Sequence, residues 1–131
     1  MIDKIAWLHL QNGSVLSARS RGKDCFYFPG GKRETGETDT QALVREIKEE
    51  LTVTLDPTTL RYVGTFEAQA YGHAAGVMVR MTCYLAQYEG QLEPAAEIEE
   101  IAWLTYQDRH RVSAVDQIIF DWLRERQLLA D

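Results

Sequence analysis

Cysteine is scarce in this chain: Cys25 and Cys83 are its only two, far apart and in no CxxC pair. Two such residues make no disulfide framework and offer no zinc-ligand pattern, so both are expected to be reduced structural thiols in a reducing compartment. The three histidines, His9, His73 and His110, are scattered without the spacing of a metal or catalytic pair. No apolar run approaches the roughly 20 residues of a membrane-crossing helix. Asp3, Lys4 and His9 interrupt the N-terminal apolar pattern where a secretory signal would be continuous. The expected location is therefore cytoplasmic, with no membrane partner. There is no internal repeat, low-complexity tract or Pro/Gly-rich linker, and 131 residues suit one domain over 1–131. Basic charge is also in deficit. Lys and Arg total 14 against 20 Asp and Glu, a net charge of −6 that argues against a nucleic-acid polymer as partner. A phosphorylated small molecule stays open, because a bound divalent cation inverts the local field around a carboxylate cluster.

What the chain does have is an ordinary globular mixture, 45% hydrophobic and 26% charged. Its most informative stretch is Gly31 to Glu50, a glycine loop followed by Glu46, Glu49 and Glu50. Residues three and four apart share one helical face, so these three carboxylates project together and repel one another. A purely structural helix has little reason to gather them. A hard divalent cation such as Mg²⁺ or Mn²⁺, which prefers oxygen ligands, supplies one.

The helix carrying them is expected from Thr38 to Leu51. Thr38 and Gln41 fit a capping box, Glu37 and Asp39 suit the positive helix N-terminus, and Ala42, Leu43, Ile47 and Leu51 form an apolar stripe. Upstream, Lys4 to Leu10 has β character with Ile5, Trp7 and His9 on one face. Asn12-Gly13 is a hairpin turn signal, and Val15 to Arg19 the returning strand. A basic loop (Arg19, Arg21, Lys23) leads to the aromatic run Phe26-Tyr27-Phe28. Leu60 to Ala70 and Val77 to Tyr88 read as longer strands joined by a loop at Tyr71 to Gly76. An acidic segment with Glu89, Glu93, Glu97, Glu99 and Glu100 precedes a short strand at Ile101 to Leu104. Ser113 to Leu128 reads as an amphipathic helix; Asp116 is a candidate nucleobase contact, but Ser113 as cap and a favourable place for Asp116 against the helix dipole explain the segment adequately. Interleaved strands and helices point to an α/β fold with a mixed sheet.

On these residues the chain resembles the Nudix hydrolases. Their signature, G-x5-E-x7-R-E-U-x-E-E-x-G-U with U bulky and apolar, is matched by Gly31, Glu37, Arg45, Glu46, Ile47, Glu49, Glu50 and Val53. The one departure is Thr52, where glycine is usual. FPGGK before the helix and EIEEIAWL from Glu97 to Leu104 are also similar to other members. The resemblance implies a Nudix-type α/β/α sandwich with a mixed β-sheet and a loop-helix-loop catalytic motif. Threonine resists the left-handed conformation that glycine adopts at a helix end, so a different helix exit is expected at Thr52.

The resemblance also implies an activity, the metal-dependent cleavage of a pyrophosphate bond in a nucleoside diphosphate linked to a group X. A MutT-like pyrophosphohydrolase acting on a nucleoside or deoxynucleoside triphosphate is the first expectation. ADP-ribose, a nucleotide sugar or a dinucleotide polyphosphate is the alternative substrate, and a non-catalytic nucleotide-binding module is the alternative of another class. Glu46, Glu49 and Glu50 would hold Mg²⁺ (or Mn²⁺) with the Gly30 carbonyl, and Glu49 or Glu50 would double as orienting base. Arg45 would hold the motif's carboxylates, including Glu37. A further carboxylate is expected from Glu97, Glu99 or Glu100, with Glu100 favoured by its spacing to Trp103. Lys32, Arg19, Arg21 and Lys23 are candidate substrate contacts, each with a solvated loop charge as its alternative. The protein is expected as a monomer or homodimer.

Overall fold

The structure is a computed structural model that describes residues 1–70 and 73–131. In chain order its elements are β1 (Ile2–Trp7), β2 (Leu10–Gln11), β3 (Ser14–Ser20), β4 (Gly30–Gly31), α1 (Asp39–Leu51), β5 (Thr54–Leu55), β6 (Arg61–Gln69), β7 (Met78–Leu85), β8 (Tyr88–Glu89), β9 (Ile98–Leu104) and α2 (Ala114–Glu125). The main sheet has the order β4-β1-β7-β6, with β1 parallel to β7 and antiparallel to β4. A second sheet, β2-β3-β9, is antiparallel, and β5 pairs with β8. The expected loop between β6 and β7 falls partly on Tyr71 and Gly72, outside the described residues.

The strand alternation of β1 dictates two apolar layers. Ile5 and Trp7 pack with Ala42, Leu43, Ile47 and Leu51 of α1. Ala6, on the other face, joins Met81 and Cys83 of β7 and Val115, Ile119, Phe120 and Leu123 of α2. Helix, mixed sheet and helix thus form the expected α/β/α sandwich. Cys25 and Cys83 are both free and buried.

The N-terminal hairpin is smaller than the sequence predicts. The turn at Asn12 (φ 53°) and Gly13 (φ 79°) joins β3 to the two-residue β2, whereas Ile2–Trp7 pairs with β4 and β7 in the other sheet. The reason is burial: a strand apolar on both faces needs cover on both, which a hairpin exposed on one side cannot give. His9, at the crossing point, stacks on Trp7 at 4.6 Å. The aromatic run makes only isolated bridges: Tyr27 pairs with Ala18, and Phe26 with Val112.

The α1 capping box forms as its sequence predicts. Gln41 N–H donates to Thr38 Oγ1 at 3.1 Å, and Thr38 N–H donates to Gln41 Oε1 at 3.0 Å. The helix exit corrects the expectation. Thr52 does take the left-handed conformation (φ 65°, ψ 7°), and its N–H closes on Lys48 O. Its hydroxyl donates to Gln91 O at 3.1 Å, a contact glycine could not make, which helps hold the disfavoured backbone. At α2, Ser113 occupies the cap position but its side chain makes no capping bond, contrary to the role expected of it.

Candidate active site

The loop before α1 and the helix are tied by one arginine. Arg45 Nε and Nη2 donate to the two Glu37 oxygens at 2.7 and 2.8 Å, and Nη1 donates to Glu46 Oε1 at 2.9 Å. Arg45 Nη2 also reaches Lys32 O at 3.1 Å, while Glu49 lies 3.6 Å from Nη1 as its i,i+4 neighbour. This paired geometry needs the planar guanidinium fork. The Arg45 guanidinium, with help from the Glu34 N–H, holds the Glu37 carboxyl down to about 2.

Two glycines let the backbone meet these acids. Gly30 has φ 150°, and a Cβ there would lie 2.1 Å from Ile5 O. A Cβ on Gly31 would lie 2.6 Å from the Glu46 carboxyl carbon. Gly30 stands opposite Ala6 in the β1–β4 ladder, while Trp7 N–H donates to Pro29 O at 2.9 Å. In an antiparallel ladder such alternation turns the Gly30 N–H and C=O to the outer edge. The N–H donates there to Glu50 Oε1 at 3.0 Å.

Glu50 is the unusual group. It is only 8% exposed. Burial pushes its carboxyl up to about 8; the Gly30 N–H opposes this, while Glu46 and Glu97 beside it add to the rise. Burial also raises the Glu46 carboxyl, against the pull of Arg45. Glu49, by contrast, has an exposed side chain at the rim.

The loop carboxylate brought to this group is Glu97, not the favoured Glu100. Glu93 N–H donates to Leu51 O at 3.1 Å and Ala95 N–H to Glu50 O at 2.9 Å, lashing the loop to the end of α1. Glu97 then lines the same cleft as Glu46 and Glu50. Glu100 pairs instead with Arg19 at 2.8 Å across β3 and β9, and Glu99 lies 3.7 Å from Arg19. Opposite charges facing each other across an antiparallel pair attract, but the register that sets Arg19 against Glu100 is not written in either segment. Of the expected substrate contacts, Lys32 and Lys23 line the cleft; Arg19 and Arg21 do not, though Ser20 does. The cleft measures about 420 Å³ and runs on from the carboxylates to Phe28, Met81 and Val115. Lys4 and Ser113 also line it, and the sequence reading passed over both in this role.

These donors suit a hard cation, since all are oxygens and a buried acid, Glu50, stands beside a half-buried one, Glu46, both with raised proton affinity. Among the described residues, however, no three acidic, histidine or cysteine side chains already converge as a finished metal cluster. Glu46 is turned to Arg45 and Glu50 to Gly30. Binding a cation would redirect these carboxylates rather than fill a completed cage.

The profile of the NUDIX domain matches residues 4–123, and the chain belongs to that family. It is a Nudix hydrolase. A CTP pyrophosphohydrolase from Escherichia coli is 29% identical over 107 residues, covering 79% of this chain and 75% of that protein. An RNA pyrophosphohydrolase from Tolumonas auensis is 42% identical over 50 residues, but the match spans only 38% of this chain and 29% of that one. In fold, the chain is similar to a MutT Nudix hydrolase from Burkholderia pseudomallei, with a TM-score of 0.76 at 20% identity over 92% of this chain and 95% of the other. No helix of the described residues is long and apolar enough to cross a membrane.

Proposed function

We propose that this chain hydrolyses a pyrophosphate bond in a free nucleotide, converting a nucleoside or deoxynucleoside triphosphate into monophosphate and pyrophosphate. The observation that carries this reading is Glu50, a buried carboxyl beside Glu46 and Glu97 at the glycine edge of a nucleotide-sized cleft. The likeness to a CTP pyrophosphohydrolase over 79% of the chain supports a triphosphate substrate. ADP-ribose, nucleotide sugars and dinucleotide polyphosphates are the competing substrates.

Glu46, Glu50, Glu49 and the Gly30 carbonyl would hold Mg²⁺ or Mn²⁺, with Glu97 as the loop carboxylate. When bound, such an ion neutralises phosphate oxygens and acidifies water. Arg45 orients Glu37 and Glu46 and fixes the glycine loop through Lys32 O. Glu50, once ionised, is the group placed to accept a proton from an attacking water. Lys32 stands at the cleft for a phosphate oxygen. A cytoplasmic location fits the free, buried Cys25 and Cys83.

The test is a panel of triphosphates, ADP-ribose and nucleotide sugars with Mg²⁺ or Mn²⁺, using wild type and Glu50→Gln. Triphosphate turnover that a chelator abolishes, and that the substitution lowers at least about 100-fold, is expected. Cleavage of ADP-ribose alone would sink the triphosphate reading. Nucleotide binding without turnover, indifferent to Glu50, would mark a binding module.

A further inference from the structure

Lys4 occupies a place where a strand of this kind should carry an apolar side chain. On β1, Ile2, Lys4 and Ala6 share the face turned to α2, and Ile2 and Ala6 both belong to that apolar layer. Lys4 stands opposite Met81 on β7. Its side chain runs into the cleft, where its ammonium lies 5.6 Å from the centroid of the Tyr27 ring. Lys4 forms no salt bridge among the described residues.

Ser113 is a second polar group lining the same cleft. It is 3% exposed, and its Oγ faces the Asp116 carboxyl, favouring the ionised acid, without completing a well-formed hydrogen bond. A serine at a helix cap ordinarily accepts an N–H bond of the first turn. This one forgoes it and turns to Asp116 instead, so its hydroxyl keeps hydrogen-bonding capacity on the cleft side.

We propose that Lys4, with Ser113 beside the same space, selects the base of the nucleotide and favours bases bearing a ring carbonyl over adenine. The inference rests on the nucleotide-hydrolase reading above. An ammonium offers three donors and no acceptor. Guanine, cytosine, thymine and uracil present carbonyl oxygens to such a donor, whereas adenine has no carbonyl and offers only ring-nitrogen acceptors beside an amino donor. Val79, Met81 and Val115 line the same cleft, and a donor left unmatched against such apolar surface is costly. Ser113 both donates and accepts, so it complements whichever ring nitrogen or exocyclic group lies next to that carbonyl.

A purely structural explanation for Lys4 exists in Asp116. This carboxyl is fully buried and accepts the Phe28 N–H at 2.8 Å, with the Ser113 hydroxyl beside it. Lys4 is close enough for its charge to favour the ionised acid, yet the two form no ion pair. The two roles separate experimentally.

Affinity for CMP, UMP, GMP and AMP, measured by calorimetry without metal, and kcat/KM for the four triphosphates with Mg²⁺ should be determined for wild type, Lys4→Met, Lys4→Arg and Ser113→Ala. Wild type is expected to favour the carbonyl-bearing bases over adenine by about 10-fold or more. Lys4→Met should bring that ratio towards one, chiefly through weaker binding of the carbonyl-bearing nucleotides. Lys4→Arg should restore part of it, and Ser113→Ala should narrow it. A ratio unchanged in Lys4→Met overturns the inference, whether all four nucleotides weaken together, as for a phosphate contact, or only the melting temperature falls, as for a counter-charge to Asp116. In that case turnover itself leaves the hydrolase reading standing. An adenine preference in wild type also overturns it. If no nucleotide is bound or hydrolysed, both readings fall.

Discussion

In the proposed hydrolysis Glu50 is the residue on which the chemistry turns, and its burial has a measurable consequence. Its carboxyl rises from an ordinary 4.5 to about 8 on folding. The native state therefore binds a proton more tightly than the unfolded chain. The associated stability is fully present below pH 4.5 and is lost as pH rises through about 8. In metal-free buffer, Glu50→Gln should match wild type near pH 4.5 and exceed it by a few kcal/mol, as an order of magnitude, above pH 8. Urea unfolding with a chelator present, at several pH values, checks this; a constant difference across the range would contradict it. Arg45 acts through geometry. Lys at that position keeps the charge but loses the bidentate grip on Glu37 and the bond to Glu46. Arg45→Lys should lower kcat about 10- to 100-fold with a smaller effect on KM; steady-state kinetics reads the split.

At this scale the sequence was uneven. The i, i+3, i+4 spacing placed Glu46, Glu49 and Glu50 on one face because a helix converts spacing into direction. Nothing local said that Glu50 would be buried while Glu49 stayed exposed. Nor could spacing to Trp103 choose among Glu97, Glu99 and Glu100, since that choice depends on the β3–β9 register and on backbone bonds from the 93–97 loop to α1. Lys4 looked like an interruption of an apolar strand, and only the opposing α2 revealed the cleft it enters.

Among the elements, α1 is the most fully specified by its own residues. Its cap, acidic first turn and apolar stripe agree, and the helix begins where the capping box predicts. Its end is the exception. Thr52 adopts a backbone conformation that glycine takes at no steric cost, and such a β-branched residue stores roughly 1–2 kcal/mol. The hydroxyl bond to Gln91 recovers part of this. Thr52→Gly should raise stability by about 0.5–1 kcal/mol, with activity unchanged. A denaturation midpoint at or below that of wild type would show that the Gln91 contact outweighs the strain. The N-terminal hairpin illustrates the opposite case. Asn12-Gly13 correctly marks the turn, but local signals do not tell how far the paired strands extend, and β1 leaves the hairpin because its two apolar faces are claimed by two helices.

At the scale of the whole molecule, β1 holds the structure together. One face contributes Ile5 and Trp7 to the α1 layer, and the other contributes Ala6 to the α2 layer. Two apolar layers sharing one strand should unfold as a single cooperative unit. Ile47→Ala, in one layer, and Phe120→Ala, in the other, should each cost about 2–5 kcal/mol and shift one common transition. Calorimetry resolving two transitions, only one of them moved by each substitution, would mean the layers fold separately. The active site inherits this architecture. The glycine edge of β4 belongs to the main sheet, the acids to α1, and Glu97 to the loop entering the second sheet.

Phosphorus NMR of a triphosphate incubated with the protein and Mg²⁺ identifies which bond breaks. Nucleoside monophosphate and pyrophosphate, formed in equal amounts and only with the divalent ion present, are expected. Orthophosphate with nucleoside diphosphate, or an unchanged spectrum while the nucleotide is demonstrably bound, would contradict a pyrophosphohydrolase built on Glu50.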